Sequence, residues 1–271
     1  MEIADKTALV LGAAKGIGKA IALALAEAGA RVVFTWYDWP EAARATMAEF
    51  ADRGFDHFAL QVDLRQPGEI DRLFTAIDAR YRGLDILINN IERGGMPVVH
   101  GAYTGEQWDL EMETTLKAKW FVMNRALPLL TASNDGAAII FSSIAALVGR
   151  SGPAGLVFND GYSAANRAVS SFTETWARLA APGVRVNELM LGFFATRHAE
   201  GTRGWSLLSE EEKQAIVDHT LLRRTGTLDD IIRAVFFLLR DATFMTGVTL
   251  RLDGGYPLGA SAVPQLPQGV I

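Results

Sequence analysis

The 271-residue chain contains no cysteine, which excludes disulfides, thiolate nucleophiles and cysteine-held metal ions. Histidine is scarce: His57, His100, His198 and His219 are scattered without metal-ligand spacing, so no metal is expected. Basic charge is in deficit, with 26 Lys and Arg against 31 Asp and Glu and a net charge of −5. That balance argues against nucleic acid as a partner, because phosphate binding calls for a basic face. Long apolar runs are missing too. The longest, "GAAIIFSSIAALVG", is broken by two serines and falls short of the roughly 18 residues a membrane span needs. The N-terminus places acids early and glycines soon after a short apolar run, unlike a signal peptide. These absences lead to the expectation of a cytoplasmic protein with one domain over 1–271, no membrane contact and no nucleic-acid partner.

What the chain does have is a rhythm. Short aliphatic runs at 7–12, 31–36, 57–63, 84–90, 136–143, 184–191 and 247–255 read as strands. Amphipathic segments between them read as helices: 16–29, 40–53, 67–81, 104–131 and 160–181, then 206–219 and 227–241 before the last strand. The strands are apolar on both faces, as in a parallel sheet covered by helices on both sides. The β–α–β alternation predicts an α/β, doubly wound sheet of about seven strands. The Gly/Pro-containing tail 254–271 has little periodicity and reads as either mobile or packed on a neighbouring subunit.

"LGAAKGIG" puts Gly12, Gly16 and Gly18, with Lys15 and Ile17 among them, between the first strand and its helix. Gly12 permits a tight turn, Gly16 lets a pyrophosphate approach the backbone, and Gly18 lets helix and strand pack closely. The N–H groups that open the helix then face phosphate. The spacing is GxxxGxG. With "LINN" (87–90), "IIFSSIAALVG", "YSAAN", "RVNELMLGFFAT" and "VTLRLDGG" following in order, the chain resembles the short-chain dehydrogenase/reductase family, close to its oxoacyl reductases, nearly end to end.

The resemblance implies a Rossmann-type fold, a nicotinamide dinucleotide and a carbonyl substrate reduced by hydride transfer. The slot where NAD-using relatives carry an acid falls on Trp36, followed by Tyr37; Asp38 comes two positions later. Lys15 stands where NADP-using relatives often carry a base, and a cation there favours the extra phosphate. NADP(H) is therefore the expected cofactor. The alternative is NAD(H), with Asp38 on the ribose and Lys15 solvated. Asp63 matches the position that meets the adenine, with Leu64 beside it. Asn89 matches the asparagine beside the cofactor, and Thr196 a residue at the carboxamide.

For catalysis the resemblance implies Ser143 as the carbonyl orienter and Tyr162 as the proton donor. They stand nineteen positions apart, so "GRSGPAGLVFN" reads as an enlarged loop. The lysine that normally follows the tyrosine by one helical turn is replaced by Asn166, and no lysine occurs between Trp120 and Glu212. Asn166 can hydrogen-bond a ribose but supplies no positive charge, which raises the phenol's pKa and disfavours phenolate. Arg93, Arg150 or the nicotinamide's own charge are candidates to compensate. Thr115 fills the slot of a relay asparagine, and Ile91, Glu92, Leu11 and Leu191 also depart from the pattern. Glu92 reads as solvated or paired with Arg93. Residues 193–219 match the substrate lid, and Phe193, Phe194, Trp205 and Leu207 suggest an apolar pocket or ordinary core. The alternative function is a dinucleotide-binding sensor or assembly subunit, or reduction of a C=C or C=N bond. The two long helices, 104–131 and 160–181, are the expected faces of a homo-oligomer, dimer or tetramer.

Overall fold

The computed structural model describes residues 1–92, 103–133, 135–194, 208–261 and 263–266. Seven strands form one parallel sheet: β1 (Thr7–Val10), β2 (Arg31–Trp36), β3 (His57–Gln61), β4 (Ile86–Asn89), β5 (Gly136–Ser143), β6 (Val184–Leu191) and β7 (Thr249–Leu252). Their spatial order is β3-β2-β1-β4-β5-β6-β7. β1, β4 and β5 are buried throughout, whereas the edge strands β3 and β7 are partly exposed. The helices are α1 (Gly16–Glu27), α2 (Pro40–Asp52), α3 (Pro67–Tyr81), α4 (Gly105–Glu111), α5 (Ala118–Ala132), the short α6 (Ala145–Val148), α7 (Asp160–Ala180), α8 (Glu210–His219) and α9 (Leu228–Phe236).

Strand alternation divides the core into two layers. Ala8 and Val10 of β1 face Ile21 and Leu25 of α1, Phe50 of α2 and Ile231 and Val235 of α9. Leu9 and Leu11 face the other way, into Leu73 and Ile77 of α3, Val122 and Met123 of α5, and Val169 and Trp176 of α7. Truncating a large side chain in either layer to alanine costs about 2–5 kcal/mol. The chain runs outward from β1 to β3, then returns to place β4 on the other side of β1. The loops after β1 and β4 therefore part and open a crevice at the carboxyl ends of the strands.

Two expected helices contain wider turns. The segment 104–131 consists of α4, a π-helical stretch (Met112–Lys117) and α5. An i→i+5 turn takes more residues per revolution, so positions four apart stay in line instead of drifting round the helix. Glu111, Thr115 and Lys119 are all fully buried on that line. The segment 227–241 likewise ends in a π turn, Phe237–Asp241. The last strand is shorter than 247–255, because Gly254 and Gly255 turn the chain with φ of 61° and 82°. The tail starts docked: Tyr256 is buried, its ring lies 5.0 Å from that of Phe193, and its hydroxyl accepts the Ala154 N–H at 2.7 Å. No helix among the described residues is long and apolar enough to cross a membrane.

Candidate active site

A cleft of about 1160 Å³, open to solvent, occupies the crevice. Gly12, Ala14, Lys15, Ile17 and Gly18 form one wall. Gly12 has a φ of 68°, and its N–H donates to Thr35 Oγ1 at 3.2 Å. A Cβ added to Gly18 would lie 2.4 Å from the Gly12 carbonyl oxygen. Only glycine lets the first turn of α1 close against β1 in this way. Lys15, the N-cap of α1, makes no side-chain capping bond, so the first N–H groups stay available to an anion. The loop thus fits the pyrophosphate of a dinucleotide.

Trp36, Tyr37, Asp38, Trp39, Asp63, Leu64 and Arg65 line the outer end. Lys15 Nζ lies 3.2 Å from the centroid of the Trp39 ring. Arg65 grips Asp63 with two donors, Nε to Oδ1 at 2.8 Å and Nη2 to Oδ2 at 2.6 Å, and reaches the Tyr37 hydroxyl at 3.3 Å. The Arg65 hydrogen bond holds the Asp63 carboxyl below its ordinary pKa, against the opposing effect of burial. Sequence reasoning had passed over Arg65; its place two residues after Asp63, in the turn that follows β3, was the available signal.

At the inner end the fold brings Ser143, Tyr162 and Asn166 together. Asn159 caps α7 by accepting the Tyr162 N–H at 2.7 Å, which fixes the first turn. Asn166 is fully buried and works inside the protein. Its Oδ1 accepts the Ser143 N–H at 3.0 Å, and its Nδ2 donates to the Tyr162 carbonyl at 3.0 Å. Ser143 Oγ accepts the Ala145 N–H at 3.2 Å. Ser142 points the other way, to Glu188.

The Tyr162 hydroxyl donates to Glu92 Oε2 at 2.7 Å. Glu92 is therefore engaged in the site and is not simply solvated; a pairing with Arg93 lies outside the described residues. Burial first, then the Glu92 charge, push the Tyr162 phenol well above its usual pKa, with a hydrogen bond from Ser143 acting in the opposite direction. Arg150, a candidate compensating charge, sits instead with Asp160 at 3.8 Å on the surface.

Lys119 is the residue that sequence reasoning missed here. Its Nζ is fully buried, 3.9 Å from Glu92 Oε1, and neither atom has a hydrogen-bond partner among the described residues. Burial pushes the Lys119 amine below its ordinary pKa, while Glu92, Glu188 and Glu111 pull it back up. The available signal was the run Glu111, Thr115, Lys119: three polar residues at intervals of four on an otherwise amphipathic helix.

The cleft lining reaches Asn90, Ile91, Glu92, Thr114, Ala118 and Ser142, and ends before Tyr162. Strand alternation turns Asn89 into the interior, fully buried, and leaves Asn90 at the cleft. Phe193 and Phe194 are buried; Phe193 stacks on Phe158 at 5.4 Å, which in turn lies 5.8 Å from Tyr162. Thr196, Trp205 and Leu207 fall outside the described residues.

The sequence matches the family described as enoyl-(acyl carrier protein) reductase over residues 12–257. It is 32% identical to the 3-oxoacyl-[acyl-carrier-protein] reductase FabG of Staphylococcus aureus, over 92% of this chain and 97% of that protein. A second relative, the enzyme of the same description from Vibrio cholerae, is 32% identical over 94% of this chain and 98% of its own length. Among solved structures, one assigned as a short-chain alcohol dehydrogenase of Sinorhizobium meliloti superposes with a TM-score of 0.81 at 30% identity, covering 94% of this chain and 98% of the other.

Proposed function

The chain belongs to the short-chain dehydrogenase/reductase family, and from that premise we propose that it is an NADP(H)-dependent reductase of a ketone or 3-oxoacyl-type carbonyl. The observation that carries the reading is the Tyr162 hydroxyl bonded to Glu92 Oε2 at 2.7 Å. A phenol beside a carboxylate keeps its proton, and a general acid for carbonyl reduction must have a proton to give. The two 3-oxoacyl reductases among its relatives support the substrate class.

When bound, the dinucleotide supplies the hydride. Gly12, Ile17 and Gly18 would receive its pyrophosphate, and Asp63, Leu64 and Asn89 stand as the proposed supports around adenine and sheet end. Lys15 and Arg65, with Trp36 and Tyr37 beside them, would receive a 2′-phosphate, which prefers cations in this position. Tyr162 gives its proton to the carbonyl oxygen as charge develops there. Ser143 orients that oxygen. Asn166 keeps Ser143 and Tyr162 in register through its two hydrogen bonds.

Replacing Tyr162 by Phe is expected to lower turnover of 3-oxoacyl thioesters by about 10²–10⁴-fold while NADPH binding measured by calorimetry stays intact. Turnover at the wild-type rate would end the assignment. A second reading is a dinucleotide-binding protein without dehydrogenase chemistry, and one observation favours it: the lining of the cleft ends before Tyr162. It expects NADPH uptake with no oxidation across a carbonyl panel. For assembly, Trp108 of α4 and Trp120 of α5 stand 40% and 41% exposed, which supports those helices as the faces of a dimer or tetramer. Light scattering reads the outcome.

A further inference from the structure

The structure holds the buried amine of Lys119 among three carboxylates, a costly arrangement if the amine carries its charge. Isolated buried charges are retained where something uses them, or else neutralise. Lys119 enters from α5, Glu92 from the turn after β4, Glu111 from α4 and Glu188 from β6, with the Tyr162 phenol from α7 on the far side of Glu92. Glu111 and Glu188 already have neutral donors. Asn159 Nδ2 and Thr115 Oγ1 donate to Glu111 at 3.2 and 3.4 Å, and Ser142 and Thr249 donate to Glu188. Glu92 differs. One of its oxygens accepts the phenol, and the other, buried and without a hydrogen-bond partner among the described residues, faces Lys119 Nζ, which also lacks one among them.

We infer that Lys119 supplies, from α5 and through Glu92, the positive charge that Asn166 cannot supply from α7. It is a positioning residue and need not touch the substrate. This rests on the reading of Tyr162 as proton donor. When Tyr162 gives up its proton, a phenolate forms 2.7 Å from the Glu92 carboxylate. Two like charges at that distance oppose the step, and a third charge of opposite sign nearby relieves it. Lys119, 3.9 Å beyond Glu92, is so placed. Glu92 has two functions: it holds the phenol as a donor before the reaction, and it links the phenol to the cation afterwards.

The test separates this inference from the reading beneath it. Once Tyr162→Phe has been found inactive, Lys119→Met is expected to lower kcat at least about tenfold, a share of what general acid catalysis provides. Its KM for NADPH should stay within about twofold, since uniform binding is untouched. Wild-type reduction should decline on the alkaline side as Lys119 loses its proton. Glu92→Gln removes a carboxylate that keeps the amine charged, so it should move that decline to lower pH. Lys119→Met should lack it. The combination of Lys119→Met with Asn166→Lys returns a cation to the other helix and should recover part of the lost kcat.

A readout that needs no turnover is nuclear magnetic resonance titration of the lysine side chains, of which the chain has six. One resonance, absent from Lys119→Met, should titrate below the others and shift further down in Glu92→Gln. If Lys119→Met fails to fold, the resonance is assigned by its absence from Lys119→Arg, and this wild-type titration and its Glu92→Gln counterpart decide the question. Lys119→Met with wild-type kcat and pH profile overturns the inference while leaving Tyr162 in its role. So does a lost kcat with an unchanged pH profile and no recovery by Asn166→Lys, or a Lys119 resonance that titrates with the surface lysines. An active Tyr162→Phe removes the underlying reading instead.

Discussion

At the outer end of the cleft, Lys15 leans on the Trp39 ring and Arg65 forks onto Asp63, both close to water. At the inner end, Lys119, Glu111 and Glu188 are sealed from it, and Lys119 Nζ meets its nearest carboxylate at 3.9 Å. The same kinds of side chain therefore do different work. Outside, solvent screens each pair, so each contributes little to stability. Inside, charges are weakly screened, and the Tyr162 phenol has its pKa raised first by burial and then by the Glu92 carboxylate. Between the two ends lies the glycine loop, which carries no side-chain charge at the Gly12–Gly18 contact and works by shape.

Substitutions can break this contrast, beginning with the loop on which both ends depend. Gly18→Ala forces a Cβ to within 2.4 Å of the Gly12 carbonyl oxygen. Backbone must shift, at a cost of about 1–3 kcal/mol or more, and calorimetry should show NADPH affinity reduced beyond tenfold. Glu92→Gln keeps the size of the inner side chain and removes its charge. Turnover should fall by roughly tenfold or more, as expected for a group acting on a general acid, and the circular dichroism melt should fall as well, because the buried Lys119 amine loses its nearest carboxylate.

Arg65→Ala, at the outer end, should raise the KM for NADPH about tenfold and leave kcat alone, on the scale of a hydrogen bond to a charged group. Its stability effect should depend on pH. Asp63 has a lowered pKa in the folded state, so the contribution of the pair is present above the ordinary carboxylate pKa of 3.8 and disappears as pH falls through the lower folded value. Melting curves of wild type and Arg65→Ala should therefore converge in acid. Lys15→Ala is expected to be the mildest change. A cation over an exposed tryptophan contributes about 0.5–1 kcal/mol, so a several-fold rise in KM for NADPH, with none for NADH, would sharpen the contrast.

Much of this was legible in the sequence because it is local. The strands at 31–36, 136–143 and 184–191 end where expected, since each is a short stretch rich in β-branched or aliphatic residues. The glycine loop depends on the absence of side chains within seven residues. Motif order led to the expectation that Ser143, Tyr162 and Asn166 share one place in the fold, and their side chains and backbone do meet there. What stayed hidden was non-local. Glu92 and Lys119 stand 27 positions apart, and Ser142 and Glu188 46 apart, joined only when β4, β5 and β6 lie side by side. Lys119 immediately precedes the lysine-free stretch that begins at Trp120, and in the sequence a lysine on an amphipathic helix looks like any solvated face.

The order of residues along the chain determined the parallel sheet, the helices that cover it and the turn that admits a phosphate. Each of these follows from periodicity or backbone freedom within a few residues. Only the tertiary structure decided where the inner charge comes from. The exposure of a lysine, and hence its pKa and its influence on a phenol 43 positions away, is a property of what packs round it. A π turn in one helix and the registration of three strands put that packing in place.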